Sequence, residues 1–284
     1  MSEILKIESL TKIFEKKNLF SSNEESIIAA DSVSFSLNKG EILAIAGQSG
    51  SGKSTITKLI LRAIEPDSGK IFYKDEEIKN NSSELKKFRM KCQMVYQDPY
   101  DSINPRMTIS DIVNEPLEIH ELGTKEERRT RVLETLKLVK LEPTEEIAKK
   151  YPHMLSGGQR QRVVIARAIV VEPEIIIADE PVSMLDVSIR AEILELMKEI
   201  QTKNNISMIY ITHDLATAKH FADRIIILNS GKIMEEGTVE KVLSSPEHPY
   251  TKALIAAISE PNPENLHKEK KIEWVSNWKN NSNN

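Results

Sequence analysis

The feature that most constrains the fold is a glycine-rich octapeptide between a short apolar run and a helix-like stretch. Residues 47–54 read Gly-Gln-Ser-Gly-Ser-Gly-Lys-Ser and match the G-x4-G-K-[ST] pattern of a phosphate-binding loop. The apolar run 41–46 before it predicts a strand that is buried on both faces. The stretch from Gly52 to Pro66 predicts a helix. A buried strand, a glycine-rich loop and a helix in this order favour an α/β fold.

Each residue type in this loop has a physical reason to meet a phosphate. Glycines let the backbone curl so that successive N–H groups point at an anion, and the positive end of the helix adds to them. The Lys53 ammonium can reach the β- and γ-phosphates, and the Ser54 hydroxyl can ligate Mg²⁺. The alternative is a chance glycine- and serine-rich turn, which the flanking strand and helix argue against. We expect nucleotide contacts from Gly47, Gln48, Ser49, Gly50, Ser51, Gly52, Lys53, Ser54 and Thr55.

Two acidic residues end another apolar run. Asp179 and Glu180 follow residues 175–178, and parallel strands bring such acids to the carboxyl edge of the sheet, where α/β proteins bind ligands. There Asp179 would hold Mg²⁺ through its water shell, and Glu180 would orient and deprotonate an attacking water. Many parallel strands end in Asp or Glu, so this interpretation depends on the phosphate loop.

His213 and Gln97 follow apolar runs of the same kind. His213 comes just after the run 207–211, where it could hydrogen-bond the γ-phosphate and hold the water. An isolated histidine is more often structural. Gln97 follows residues 92–96 and, taken alone, is a polar loop residue. Both interpretations stay open on the residues alone.

A second glycine-containing helix start lies at residues 155–162, Leu-Ser-Gly-Gly-Gln-Arg-Gln-Arg. The amphipathic run 163–171 after it predicts a helix whose N-terminus can bind an anion. Because one nucleotide has one γ-phosphate, a single domain has little use for two such sites together. We therefore expect a head-to-tail dimer in which ATP bound to one protomer is covered by the other's Ser156, Gly157, Gly158 and Gln159. The alternative is a helix cap with an incidental glutamine.

The remaining chain divides into a strand-rich start, a helical insertion and a polar tail. Residues 3–8 and 33–37 alternate polar and apolar side chains, which predicts half-buried strands on either side of a polar loop at 16–25. From Thr108 to Leu155 the apolar spacing becomes helical, which predicts an inserted helical subdomain. After Pro261 the chain is rich in Asn, Lys and Glu, and we expect it to be mobile.

Composition excludes several other classes. The 39 basic and 43 acidic residues give a net charge of −4, which gives no hint of a nucleic-acid partner. The single cysteine, Cys92, excludes an intrachain disulfide and a thiolate metal site. No apolar run approaches the ~20 residues that span a bilayer, and the N-terminus lacks the apolar core of a signal peptide. We expect a soluble chain that works at a membrane only by docking to another subunit.

These motifs, in this order, resemble those of the ABC transporter ATPases over about residues 3–260. The resemblance identifies residues 47–55 as the Walker A loop and residues 155–159 as the signature motif. It identifies Asp179 and Glu180 as the Walker B acids. Every catalytic position carries the expected residue type, which argues against a subunit that does not hydrolyse ATP.

The same resemblance assigns four further positions. It implies that Gln97 is the Q-loop glutamine, with a catalytic and metal-contacting role, and that His213 is the switch histidine. Residues 183–186 correspond to the D-loop, with Asp186 at the nucleotide, although the second residue is methionine where the family usually has alanine. Phe14 stands where the family places an aromatic ring against adenine.

The resemblance implies an architecture and an assembly. We expect an ABC ATP-binding domain at 1–260 and a polar tail at 261–284. The domain would be α/β, with a RecA-like P-loop core, an antiparallel β subdomain and an inserted helical subdomain at about 105–170. Two such subunits would sandwich two ATP with Mg²⁺ and drive membrane permeases from the cytoplasmic face of the cell membrane.

Two segments resemble the dipeptide and oligopeptide importer ATPases in particular, residues 96–106 and residues 247–254. Peptide import is therefore the leading function, with an external substrate-binding protein as an indirect partner and nickel or oligosaccharide as alternative cargo. Many of these relatives have a cysteine-containing tail that in some holds an iron–sulfur cluster. No cysteine follows Cys92, so we predict no cluster. Trp274 and Trp278 in the tail form either a docking surface or a loosely packed helix.

Two other classes compete with a transporter subunit. Soluble ABC proteins of translation or DNA repair usually carry two cassettes or a long coiled-coil insertion, and this chain has one cassette. An ordinary P-loop kinase would have no task for Ser156–Gln159. The dimer partner is either a second copy or, as we expect, a distinct but similar ATPase.

Overall fold

The computed structural model describes residues 2–16 and 25–259. Its strands are β1 (Glu3–Lys16), β2 (Glu25–Asn38), β3 (Ile42–Ala46), β4 (Ser68–Tyr73), β5 (Glu76–Glu77), β6 (Cys92–Val95), β7 (Ile175–Asp179), β8 (Ser207–Thr212), β9 (Arg224–Asn229) and β10 (Lys232–Thr238). Its helices are α1 (Lys53–Ile60), α2 (Ser82–Lys91), α3 (Ile109–Ile119), α4 (Lys125–Leu138), α5 (Thr144–Lys149), α6 (Gly157–Ile169), α7 (Val187–Asn204), α8 (Leu215–Phe221), α9 (Val239–Ser244) and α10 (Pro249–Ser259), with a short 3-10 helix at Pro152–Met154.

The larger of two sheets contains the predicted parallel strands in the order β10-β9-β3-β8-β7-β6. β3 pairs parallel with β8 and β9, and β7 pairs parallel with β8 and β6. β10 pairs antiparallel with β9. Every residue of β3 and β8 is buried, as expected of parallel strands covered on both faces. The carboxyl ends of β6, β7, β8 and β3 therefore meet at one edge, where the sequence placed the site.

Alternate residues of β3 join two hydrophobic layers. Ile42, Ala44 and Ala46 belong to the layer that includes α3, α6 and α7. Leu43 and Ile45 belong to the layer that includes α1 and the N-terminal strands. Side chains of a strand point alternately to opposite faces, so one short apolar strand anchors both halves of the core and fixes where the phosphate loop begins.

The smaller, antiparallel sheet has the order β2-β1-β4-β5. β1 and β2 extend well beyond the predicted residues 3–8 and 33–37, because β-bulges interrupt the alternation on which the prediction rested. The register of β1 against β2 shifts near Ser9 and Ser32, whose φ angles are 48° and 50°. A bulge moves successive side chains to the other face, so a strict period of two fails there. The polar loop expected at 16–25 falls largely outside the described residues.

Helices α3 to α6 fill residues 109–169, within the stretch expected to be helical. The predicted apolar face is present, since Val132, Leu136 and Val139 are buried. Three of these helices begin with a capping box, in which a hydroxyl and an acidic or amide side chain satisfy the first backbone N–H groups. The capping residues are Thr108, Thr124 and Ser156.

The region after β9 contains elements that the sequence reading did not predict. β10, α9 and α10 follow one another from Lys232 to Ser259. Residues 261–284, with Trp274 and Trp278, lie outside the described part of the chain. Within the described part, no helix combines the length and hydropathy needed to cross a membrane.

Leu136 and Leu138 provide a test of where the helical core lies. Leu136 on α4 is fully buried, whereas Leu138 on the same helix is 37% exposed. Leu136→Ala should lower the free energy of unfolding by about 2–5 kcal/mol, because it leaves a cavity. Leu138→Ala should change it by less than about 0.5 kcal/mol. Urea denaturation of the two variants measures the difference, and equal losses would contradict the packing described.

Candidate nucleotide site

The phosphate loop forms the turn between β3 and α1, as the sequence predicted. Two of its glycines are required by close packing. A Cβ atom on Gly47 would collide with the backbone carbonyl of Leu228 in β9, and one on Gly52 with the backbone carbonyl of Ala29 in β2. Gly52 also has a φ of 106°, which L side chains rarely adopt. The loop is therefore clamped between strands of both sheets.

The ammonium group of Lys53 is buried inside this loop. Its Nζ donates to the backbone carbonyl of Gly47 at 2.7 Å and to that of Gln48 at 2.8 Å. Burial lowers the pKa of Lys53, and the carboxylates of Glu180 and Asp179 oppose that shift. A cation that donates to backbone carbonyls, with two carboxylates nearby, is well placed to bind triphosphate oxygens.

Asp179 and Ser54 lie in contact, as their predicted shared role requires. Asp179 ends β7, and its carboxylate interacts with the Ser54 hydroxyl at the start of α1. Burial raises the pKa of Asp179, and the interaction with Ser54 offsets part of the rise. A hydroxyl and a carboxylate are the oxygen donors that Mg²⁺ prefers, so the pair fits a magnesium ion.

These two residues do not complete a metal site by themselves. Among residues 2–16 and 25–259, no group of three or more His, Cys, Asp or Glu side chains could hold a metal. A Mg²⁺ ion bound at Asp179 and Ser54 would therefore take its other ligands from Gln97, as predicted, and from water and nucleotide oxygens, as Mg²⁺ commonly does.

Glu180, Gln97 and His213 meet at the carboxyl ends of three adjacent strands, β7, β6 and β8. Glu180 Oε2 accepts a hydrogen bond from Gln97 Nε2 at 3.2 Å. The same oxygen lies 2.9 Å from His213 Nδ1. The Glu180 backbone has a φ of 44°, in the left-handed region, and its N–H donates to the carbonyl of Ile211 at 3.0 Å. The structure thus groups the three predicted catalytic side chains.

One cavity of about 590 Å³ connects these groups to the phosphate loop. Its lining includes Gln97, Glu180 and His213 together with Ser49, Gly50, Gly52, Lys53, Ser54 and Thr55. Three lining residues were not predicted, and they are Ile27, Ile28 and Ala29 of β2. They were missed because the alternation of polar and apolar residues predicted that strand only from residue 33.

Phe14 lies next to this unpredicted wall. It pairs in register with Ile27 across β1 and β2, and its ring is 42% exposed. The Lys12 ammonium lies 5.7 Å from the ring centroid. An exposed aromatic ring beside two exposed isoleucines offers a flat apolar surface at the rim of the cavity.

The signature loop is not part of the cavity. None of Ser156, Gly157, Gly158 and Gln159 lines it as described. The Ser156 hydroxyl accepts from the Gln159 N–H at 3.3 Å, and Gln159 Oε1 accepts from the Ser156 N–H at 3.1 Å, so the two side chains cap α6. The helix-cap interpretation is therefore correct for these two side chains, although the glutamine is part of the cap and not incidental.

The predicted D-loop connects Glu180 to α7. Asp186 precedes α7 as its N-cap residue, and its side chain makes no capping hydrogen bond. An unpredicted residue, Arg190, holds the loop by donating to the carbonyls of Leu185 at 2.7 Å and Ser183 at 3.2 Å. The Asp186 carboxylate therefore remains available for other contacts.

Two family models match the chain. One, described as ABC transporter, covers residues 30–183. The other, described as the C-terminal region of oligopeptide/dipeptide transporters, covers residues 234–279. The chain therefore belongs to the ABC transporter family of ATP-binding proteins. It is an ATPase.

Curated relatives and solved structures agree with this assignment. The chain is 44% identical over 256 residues to the dipeptide transport ATP-binding protein DppF of Haemophilus influenzae, covering 90% of this chain and 77% of DppF. It is 45% identical over 260 residues to the oligopeptide transport ATP-binding protein OppF of Bacillus subtilis, covering 90% and 85%.

The fold matches solved ATP-binding cassettes. The post-hydrolysis dimer of the cassette MJ0796 with ADP and Pi gives a TM-score of 0.72 at 35% identity, covering 83% of this chain and 98% of that one. CbiO1 from Clostridium perfringens, part of an ABC transporter complex, gives a TM-score of 0.74 at 28% identity, covering 86% and 92%.

Asp179→Asn should stabilise the protein without nucleotide at neutral pH. Burial raises the pKa of Asp179 above its ordinary 3.8, so ionisation of this carboxylate opposes folding. The cost is absent below the unfolded pKa and grows as pH rises through the folded pKa. The Tm of the variant should therefore exceed that of the wild type at about pH 7, and the excess should shrink towards about pH 4. Thermal unfolding across this range measures it.

Asp67→Asn is a matched control in which the change in Tm should have the opposite sign. Hydrogen bonds from Lys12 and from the backbone N–H of Ile13 lower the pKa of Asp67. Its ionised carboxylate contributes stability above the unfolded pKa that is lost as pH falls, so this substitution should lower Tm at neutral pH. An Asp179→Asn variant that melts below the wild type throughout would show that the buried carboxylate is stabilising.

Proposed function

We propose that this chain is the ATP-hydrolysing subunit of an ABC importer for dipeptides or oligopeptides. The observation that carries the proposal is the convergence of Gln97, Glu180 and His213 on one cavity with the phosphate loop. A bound nucleotide would have its triphosphate on the loop and its γ-phosphate towards Glu180.

Hydrolysis needs a base, a positioned water and stabilised phosphate charge, and each has a candidate. Glu180 acts as the base that accepts a proton from water, which adds oxygen to the γ-phosphorus as the bond to the bridging oxygen breaks. His213 and Gln97 hold the water and the γ-phosphate. Lys53 balances the triphosphate charge. Ser54, Asp179 and Gln97 would hold Mg²⁺, which would stabilise the negative charge that develops on the departing ADP. Adenine stacks on Phe14.

The site is completed by a second subunit. The Ser156–Gln159 loop lies outside the cavity, yet its glycines and the start of α6 provide backbone N–H groups for an anion. In a head-to-tail dimer this loop and Asp186 reach the nucleotide of the other protomer. Exposed apolar side chains beside Asp186 support such an interface, since Met184 is 61% and Val187 79% exposed.

A membrane permease docks on the segment after Gln97. Tyr100 is 61% exposed and adjoins a cavity of about 590 Å³ formed with residues 101–105. The Arg160 guanidinium, one residue after the signature motif, lies 4.3 Å from the Tyr100 ring centroid. A force on Tyr100 is thereby transmitted to α6 and the signature loop.

The cargo and the wider assembly are inferred from the relatives. DppF is named for dipeptide transport and OppF for oligopeptide transport, and we extend peptide import to this chain, with nickel or oligosaccharide as alternatives. The partners are permease subunits, a second ABC ATPase that is a distinct paralogue or a second copy, and indirectly an external substrate-binding protein. We place the chain at the cytoplasmic face of the membrane, with residues 1–260 as the ATP-binding domain and no nucleic-acid partner.

Glu180→Gln should abolish turnover and preserve ATP binding. Loss of the base lowers the hydrolysis rate by about 10²–10⁴-fold, so ATP remains bound and holds two subunits together. Light scattering after size exclusion should show a dimer with ATP and a monomer with ADP. A variant that binds ATP and stays monomeric at high concentration would contradict a sandwich of two copies, and a mixture with the paralogous ATPase then tests the mixed dimer.

Tyr100→Ala should separate transport from hydrolysis. Removing an exposed aromatic anchor from a docking site costs about 2 kcal/mol or more, so co-purification of the tagged chain with its permease and peptide uptake should both fall. Leu138→Ala, also exposed but on α4, is the control and should retain both. Normal uptake by the Tyr100 variant would place the permease elsewhere, and recovery of ribosomes or DNA instead would favour the soluble class.

A further inference from the structure

The start of α10 brings a buried tyrosine to the back of the phosphate loop. Tyr250 is only 7% exposed. Its hydroxyl interacts with the backbone N–H of Gln48, which lowers the pKa of Tyr250 against the rise caused by burial. This contact falls short of an ordinary hydrogen bond, and the hydroxyl has no such partner elsewhere among residues 2–16 and 25–259. A buried hydroxyl without a full partner is unusual and calls for an explanation.

The position of Tyr250 is fixed by hydrogen bonds that start in β10. The carboxylate of Glu235 accepts the backbone N–H groups of Glu247 at 2.8 Å and His248 at 3.0 Å. The Nδ1 atom of His248 in turn accepts the backbone N–H of Tyr250 at 3.1 Å. The first turn of α10, from which the Tyr250 side chain extends, is thus tied to the sheet.

Tyr250 and Lys53 face the two ends of one peptide unit. The N–H of Gln48 and the carbonyl of Gly47 belong to the same planar group and point in opposite directions. The Gly47 carbonyl accepts from Lys53 Nζ at 2.7 Å. When Lys53 turns to a triphosphate, this carbonyl loses its donor, and the Gln48 N–H becomes the remaining point at which the peptide can be held.

A second contact joins the same region to the loop. The N–H of Gly231, between β9 and β10, donates to the carbonyl of Ser51 at 2.9 Å. The chain from Gly231 to Tyr250 therefore contacts the phosphate loop at two separate peptide units.

We propose that Tyr250 is a positioning residue for ATP binding, whose hydroxyl accepts the Gln48 N–H and holds the Gly47–Gln48 peptide while Lys53 binds phosphate. The C-terminal region thereby sets the affinity of the phosphate loop for nucleotide. This inference rests on the proposed role of the phosphate loop, and it gives a task to one residue of the segment 247–254.

Tyr250→Phe tests the inference in the full-length chain, since it removes one oxygen and keeps the ring. The Kd for ATP with Mg²⁺ and the KM should both rise about fivefold, which is the effect expected from the loss of one hydrogen bond. The kcat should stay within about twofold, because the residue does not touch the reacting atoms. The Tm without nucleotide should not fall, because the hydroxyl makes no ordinary hydrogen bond in the structure, whereas the Tm gain on adding ATP should shrink.

Tyr73→Phe is the matched control. It removes a tyrosine hydroxyl on β4 that interacts with Lys74 and Glu174, away from the loop, and should leave the Kd for ATP unchanged. An unchanged Kd in Tyr250→Phe would overturn the inference, and so would a raised Kd accompanied by a lower Tm without nucleotide, which indicates a purely structural role.

Lys53→Ala separates this inference from the proposed function. If that variant still binds ATP normally, the phosphate site itself is wrong. If it loses ATP while Tyr250→Phe keeps the wild-type Kd, only the role of Tyr250 is wrong.

Discussion

A buried ammonium group surrounded by backbone carbonyls is the interaction on which the site depends. Lys53 lies there because β3 ends at a turn that is clamped between β2 and β9. The backbone of these strands leaves no room for a Cβ atom at Gly47 or Gly52. The carboxylates of Asp179 and Glu180, at the carboxyl end of β7, offset part of the cost of burying this charge. The position, the charge and the packing of the loop therefore all depend on the order of the strands in the parallel sheet.

The sequence was sufficient for those parts of the site in which local pattern and chemistry coincide. A continuous apolar run such as 42–46, followed by a glycine-rich loop, predicts a buried strand. Acids that follow such runs are predicted to share one edge of a parallel sheet. The meeting of Glu180 with His213 and Gln97 follows from adjacency of β6, β7 and β8, which the linear sequence does not state. Only the resemblance supplied it.

Other parts could not be obtained from local pattern. The wall formed by Ile27 and Ile28 was missed because bulges near Ser9 and Ser32 break the period of two in β1 and β2. Arg190 looked like an ordinary surface cation on a helix, although it holds the D-loop. Tyr250 lies about 200 residues after the loop that it contacts, and a contact of that range leaves no trace in neighbouring residues.

The reciprocal cap of Ser156 and Gln159 has a consequence for how fast the two subunits of the proposed dimer would join. Because each side chain satisfies the other's backbone N–H within one chain, the signature loop is already shaped before it meets a nucleotide. Its association then loses little conformational entropy, so encounters between cassettes should be limited by diffusion and orientation and not by ordering of the loop. If the proposed dimer opens and closes at every turnover, it gains from a surface that needs no refolding.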